Sequence, residues 1–340
     1  MLTERKSQIL KIIANDYIST AQPVASSVVA RSHGLGVSSA TVRNEMVALE
    51  EEGYIHRPHI SSGGVPSDKG YRQLVQWLDD SLHVGADDAK RVAAGLSEST
   101  DDVDEWANAA AGILAALLDT VAFATPLRSQ TSSIKGIELL ELQEMLVMMV
   151  VVMQEAVVYR QLIRTSHSVT SSDLEHTRNK VNSLVAGKSL MSLRNRTPEP
   201  DSEFDRRVVQ SAVDVARRHE TQRLKSRKLQ GLSRLFRQPE FTEDGERAQM
   251  AITAIESDEV FEGLASAVSP GNNTVTFIGS ENTHDSLKQF SVVVCDYGVG
   301  GEASGVLGIL APTRLAYGRA IPLVSYTGTS LSGIINRVYG

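Results

Sequence analysis

The sequence predicts an α+β protein built from several domains. Its length of 340 residues exceeds what one ordinary core organises. Residues 1–76 show helix-period apolar patterns broken by glycine turns and ending in a hairpin-like stretch. Strand-like apolar runs come in two sets, one before residue 170 and one after 275, with a mainly helical segment between them.

The first helix starts at Thr3, a suitable N-cap, with Glu4 in its first turn; Ile9, Ile12, Ile13 and Tyr17 give it one apolar face. Pro23 lies beyond its end. A second short helix fits Ala25–Ser32, with Val28 and Val29 facing inward. The run His33-Gly34-Leu35-Gly36 reads as a turn, where glycine permits positive φ, and Ser38 or Ser39 caps a third helix.

On that third helix Val42, Met46 and Leu49 share one face, while Ala40, Arg43, Asn44 and Val47 point the other way. Small and polar residues at the exposed front of a helix suit a DNA major groove: arginine pairs with guanine O6/N7 and asparagine with adenine N6/N7. The free N–H groups of the first turn, beside Ser38, Ser39 and Thr41, suit a phosphate. The expected roles are base reading for Arg43 and Asn44 and phosphate holding for Ser39 and Thr41. Glu50, Glu51 and Glu52 fall at the rear, away from the DNA, because only the front of such a helix need reach bases.

Gly53-Tyr54-Ile55 ends the helix and starts a strand. His56 to Pro66 then reads as a hairpin with a glycine tip, and a hairpin after three helices is the winged helix-turn-helix pattern. Its candidate DNA contacts are Arg57, His59, Ser61, Ser62, Gly63 and Gly64. Ser67 caps a further helix with Tyr71, Leu74 and Leu78 on one face.

Residues 77–133 read mainly as helix, with a stripe of Trp106, Ala110, Ile113, Leu114, Leu117 and Leu118. Three strand signals follow: IKGIELLEL, MLVMMVVVM and AVVYRQLIR. The middle run lacks alternation and so reads as a strand buried on both faces. Ser171–Leu193 is helical, Thr197-Pro198-Glu199-Pro200 breaks it, and a long helix starts near Ser202. Between Arg217 and Arg237 lie eight Lys/Arg and one acid, Glu220, which read as a solvated face or a subunit contact sooner than a second nucleic-acid surface. Strands return at SVVVCDY and GVLGILAP, and a last helix covers about residues 316–338. Together the two strand sets suggest a sheet domain interrupted by an insertion.

Composition narrows the function. Net charge is −7, but residues 1–76 carry eight basic against seven acidic residues, so any DNA contact comes from a local patch. The single cysteine, Cys295, excludes an internal disulfide and reads as a buried thiol in a strand. No histidine pair has HExxH spacing, and no GxGxxG, P-loop or GxSxG occurs, so neither a metal, a cofactor nor an enzyme is expected. MLTERKSQIL lacks the apolar core of a signal peptide, and the longest apolar run, Met145–Met153, is too short for a bilayer. A cytoplasmic protein without membrane attachment is the expectation.

The stretches LTERKSQIL, DYISTAQPVAS, GLGVSSATVRNEMVALEEEGYI and PHISSGGVPSDKGYR resemble the N-terminal domain of the heat-inducible transcription repressor family HrcA. GLSRLFRQPEF, IGSEN, QFSVVVCDYGVGGEASGVLGILAPTR and YTGTSLSGIIN resemble later segments of that family, in family order. The resemblance implies a winged-helix DNA-binding domain (1–76), a helical linker (77–102), a GAF-like domain in two segments (103–170 and 275–340) and an inserted, mainly helical dimerising domain (171–274). It also implies a homodimer that represses heat-shock chaperone operons by binding the inverted repeat CIRCE in double-stranded DNA, with the GroE chaperonin modulating its activity. Two departures stand out. The family wing usually reads SAGRIP, and here Gly64 stands where its arginine would be, leaving Arg57 or His59 to supply that contact; the family's GPTRM is here Ala311-Pro312-Thr313-Arg314-Leu315. A competing expectation keeps the DNA binding but makes the GAF-like domain a small-ligand sensor.

Overall fold

The structure is a computed structural model that describes residues 2–32, 36–59, 62–78, 83–97, 102–129, 133–154, 157–165, 168–188, 193, 202–225, 227–242, 244–268, 274–299 and 303–339. The chain forms two compact units. One comprises Met1–Pro126, Arg227–Val299 and Gly305–Gly340; the other comprises Leu127–Ser226 and Gly300–Ser304.

The first unit begins with α1 (Glu4–Thr20), α2 (Ser26–Ser32) and α3 (Ser39–Glu51). Thr3 caps α1 by accepting the Lys6 N–H, and Ala21 ends it in the left-handed region at φ 55°. Ile9, Leu10 and Ile13 of α1 pack against Val29, Val42, Met46 and Leu49. Val29 is fully buried, but Val28 is 38% exposed, contrary to the expectation that both point inward. Successive helical positions are about 100° apart, so α2, with one packed face, buries only one of the pair. Ile55–His56 (β1) pairs antiparallel with Val65–Pro66 (β2), and Val24 bridges Gly64 beside them. Ser67 then caps α4 (Asp68–Gln76).

Next come α5 (Ala86–Ser97) and α6 (Val103–Leu118), the latter capped by Asp102 and closed by Asp119 in the left-handed region. The reading of 77–133 as mainly helix does not single out Val121–Ala124 (β3), a strand whose four residues are all buried. A four-residue apolar run carries no period of its own, and a partner strand from far along the chain decides its state.

The second unit holds β4 (Arg128–Ser129), β5 (Ile134–Gln143), β6 (Leu146–Met153), β7 (Val158–Arg164), α7 (Ser171–Val185) and α8 (Glu203–Lys225). The strands β5-β6-β7 form an antiparallel sheet by themselves. Hence β5, β6 and β7, the three strands expected between residues 134 and 164, do not share a sheet with those after 275; the unit that holds them comprises Leu127–Ser226 and Gly300–Ser304. Strand β6 also differs from expectation. Val147, Met149, Val151 and Met153 are buried against α7 and α8, whereas Met148, Val150 and Val152 are only half-buried. Both faces are apolar, but the described chain covers one.

The remainder completes the first unit: β8 (Lys228–Gln230), α9 (Leu232–Leu235), α10 (Pro239–Thr242), α11 (Gly245–Glu256), α12 (Asp258–Ala267), β9 (Val275–Ile278), β10 (Phe290–Val299), β11 (Ala303–Pro312) and α13 (Tyr317–Tyr339). Its main sheet has the order β8-β3-β11-β10-β9. Phe123, Phe261, Phe290, Val292 and Leu310 fill one face of that sheet together with α11 and α12. On the other, Cys295 packs on α13 and its thiol donates to the Val324 carbonyl at 3.4 Å, where burial pushes its pKa up. No described helix is long and apolar enough to cross a membrane, and no metal-ligating cluster occurs among the described residues.

Candidate nucleic-acid interface

The front of α3 is preorganised by its own serines. Ser38 is the N-cap and accepts the Thr41 N–H at 3.1 Å, while the two hydroxyls lie 3.0 Å apart. Ser39 Oγ sits 3.4 Å from Ser26 Oγ, which ties the helix start to α2. Val42, Met46 and Leu49 anchor the buried side, so Ser38, Ser39, Ala40, Arg43, Asn44 and Val47 are exposed and Thr41 is half-buried. A helix with short side chains at its tip, and two side chains able to make paired hydrogen bonds just behind, is shaped for a major groove.

Electrostatics at the rear of α3 were not foreseen from the sequence. Each of three glutamates meets a cation from another segment: Glu45 with Arg5 at 3.6 Å, Glu50 with Arg57 at 3.3 Å, and Glu52 with Lys6. Lys69 also donates to the Glu52 carbonyl at 2.8 Å and lies over the Tyr54 ring. These pairs lower the negative field behind the exposed face, which a polyanion requires. Sequence signals for them existed only as charge types; the partners are set by tertiary folding.

The hairpin residues scatter. His59 is exposed and forms a tight turn in which Ser62 Oγ donates to the His59 carbonyl at 2.7 Å. Arg57 is half-buried and occupied by Glu50. Ser61 lies outside the described residues. Gly63 and Gly64 do not join the exposed set. Gly63 packs on the Val24 backbone, and Gly64 is buried, with space for a Cβ closed by Ile55 Cδ1 and Met46 Cε at 3.0 Å. The Val24–Gly64 bridge turns position 64 toward the core, so it offers nothing to a groove.

Residues 104–321 match the family described as HrcA protein C terminal domain. A heat-inducible transcription repressor HrcA of Dehalococcoides mccartyi is 33% identical over 341 residues, covering 100% of this chain and 98% of that protein. The chain belongs to the HrcA family. The HrcA of Herpetosiphon aurantiacus is likewise 33% identical, covering 100% of this chain and 97% of its own. A crystal structure of a hypothetical protein at 2.2 Å resolution shares the fold, with a TM-score of 0.63 at 22% identity, over 99% of this chain and 100% of that one.

Within this HrcA chain several of the described cations in the basic stretch from Arg217 to Arg237 are paired with acids. Arg227 meets Asp258 at 2.7 Å, Lys228 meets Asp104 at 3.4 Å, Arg234 meets Asp119 at 3.1 Å and Arg217 meets Asp214 at 3.6 Å.

Proposed function

We propose that this chain is a sequence-specific transcriptional repressor of heat-shock chaperone operons. Its N-terminal residues act as a winged helix that places α3 in the major groove of a CIRCE-type inverted repeat, and the GroE chaperonin modulates its activity. One observation carries the DNA reading: the exposed front of α3, bearing Arg43 and Asn44, is backed by Glu45, Glu50 and Glu52, each paired with a cation. The relatives' name, heat-inducible transcription repressor, supports the regulatory role. Ser39 and Thr41 hold phosphate, and His59 is the hairpin's exposed contact.

The repressor acts as a homodimer. The uncovered face of β5-β6-β7 supports this: Leu140, Met148 and Leu162 lie in one register row, with Leu140 48% and Leu162 55% exposed. The Val152–Val158 row extends this face, and Val150 lies between the two rows, flanked by the exposed Glu138 and Arg160. A water-facing apolar sheet of this kind suits burial against its own copy.

The test is a titration against a labelled CIRCE-type duplex and a scrambled one, at several salt concentrations, with and without chaperonin. Tight selective binding, improved by chaperonin, is the expected result; equal binding to both duplexes refutes the reading.

A second reading, a GAF-like sensor of a small ligand, is favoured by a cleft of about 330 Å³ beside α12, lined among others by Glu259, Leu264, Phe277, Thr283 and His284. A small molecule that shifts operator affinity at fixed salt would support it.

A further inference from the structure

Two arginines fasten the α3-bearing helices to the sheet of the same unit. Arg72, on α4, donates from Nε to Glu281 at 2.6 Å and from Nη2 to the Thr276 carbonyl at 2.7 Å, with a further bond to the second Glu281 oxygen. Beside it the Asp68 carboxylate accepts the Ser280 N–H at 2.8 Å. Glu281 is itself held by the Ile278 N–H at 2.9 Å, so the acceptor cannot swing. At the other end Arg314, following β11, donates to the Ile18 carbonyl near the end of α1 at 3.2 Å. The same guanidinium binds Gln238 at 2.6 Å and both oxygens of Glu240. Only 14% and 15% of the Arg314 and Glu240 side chains are exposed, so this pair is shielded from salt. Tyr71 and Tyr317 meet between the two sites, ring centres 5.7 Å apart.

We propose that Arg72 and Arg314 are positioning residues for operator recognition: they fix the direction of α3 and thereby set which spacing between two half-sites the dimer accepts. The inference rests on the DNA reading above. Because α3 packs directly on α1, and α4 packs on α1 as well, fixing α4 and the end of α1 fixes α3. A bidentate arginine–carboxylate pair constrains direction as well as distance, which a single contact does not. One base pair of added spacer moves the second half-site by about 3.4 Å and turns it by roughly 35° about the DNA axis. A held reading helix resists such a change, and a loosely tethered one follows it.

The experiment compares full-length wild type with Glu281→Gln, Glu240→Gln and the double variant. Each is titrated with duplexes whose spacer is native, or longer or shorter by one and two base pairs, and with a duplex carrying one half-site. Wild type should lose at least about tenfold in affinity at the altered spacers. The double variant should lose most of that discrimination while its half-site affinity stays within about twofold. Melting curves verify that the variants are folded, and Glu240→Asp and Glu281→Asp should restore part of the spacer preference. A spacer profile unchanged in the folded double variant, or a wild type indifferent to spacer, overturns the positioning role and leaves DNA binding intact. A wild type that does not prefer the operator over scrambled DNA removes both.

Discussion

Asp68 accepts the Ser280 N–H at 2.8 Å across 212 residues of sequence. The contact depends on the residue before Ser280. Gly279 has φ +52°, and a Cβ there would fall on the Asp68 carboxylate. Gly279→Ala therefore meets two penalties, the left-handed backbone, about 1–2 kcal/mol, and the collision. Urea unfolding should show a loss of about 2 kcal/mol or more. In an Asp68→Ala background only the backbone share should remain. Equal losses in both backgrounds would show that no collision occurs.

Glu281 gives the neighbouring pair an acid limit. Burial by itself would raise its carboxyl, but the Arg72 hydrogen bonds, the Ile278 N–H and the Arg72 charge outweigh burial and hold it below the usual range. A carboxyl lowered in the folded state stabilises that state above its unfolded value of about 4.3. The contribution fades as pH falls through the lowered folded value. Wild type should thus exceed Glu281→Gln in stability near neutral pH, with the gap closing below about pH 4. Urea midpoints across the pH range measure it, and a gap that widens toward acid contradicts the assignment.

Tyr71 is 1% exposed, and its hydroxyl has no hydrogen-bond partner among the described residues. Burial raises its pKa well above the ordinary tyrosine value. An unpartnered buried hydroxyl costs about 1–3 kcal/mol. Tyr71→Phe keeps the ring against Tyr317 and should be neutral or stabilising by up to about 1 kcal/mol. A clear drop in melting temperature would reveal a partner for the hydroxyl.

Local chemistry made parts of this molecule legible. Ser38, Ser67 and Thr3 cap helices because a hydroxyl needs only the next turn, and the 3.6-residue period set Val42, Met46 and Leu49 inward. What was missed depends on distant segments. Gly64 looked like an open wing position until the Val24 bridge turned it inward. β3 needed β11 and β8 to become a strand. Arg314 and Glu281 stand in quoted motifs, but their partners Glu240 and Arg72 lie 74 and 209 residues away. Neither pairing has a period or spacing to announce it.

On α3, two substitutions should act in opposite directions. Asn44→Ala removes the amide proposed to read a base and should cost roughly 1–3 kcal/mol of specific binding, relaxing one base position. Glu50→Gln frees Arg57, now held at 3.3 Å, for a phosphate. It should strengthen binding to any duplex and steepen the salt slope by about one. Fluorescence anisotropy at several salt concentrations separates the two effects. An Asn44→Ala loss equal on operator and scrambled DNA would make Asn44 a backbone contact.

The outer face of β5-β6-β7 allows a test of self-association independent of DNA. Leu162 is 55% exposed and lies opposite Met148, which lies opposite Leu140. None of these three belongs to the buried core between this sheet and its helices. Replacing Leu162 therefore leaves that core intact, while a charge at this point would be desolvated wherever a second copy covers the sheet. Leu162→Arg should weaken dimerisation at least tenfold, about 1.4 kcal/mol, with its melting behaviour little changed when both proteins are compared as monomers. Sedimentation equilibrium at micromolar concentration reads the shift directly. A second variant, Leu232→Arg, alters another exposed leucine, 43% accessible and in the other unit, and should leave the dimer alone. Dimerisation unaffected by Leu162→Arg would move the subunit interface off this sheet, and equal weakening by both variants would point to nonspecific association.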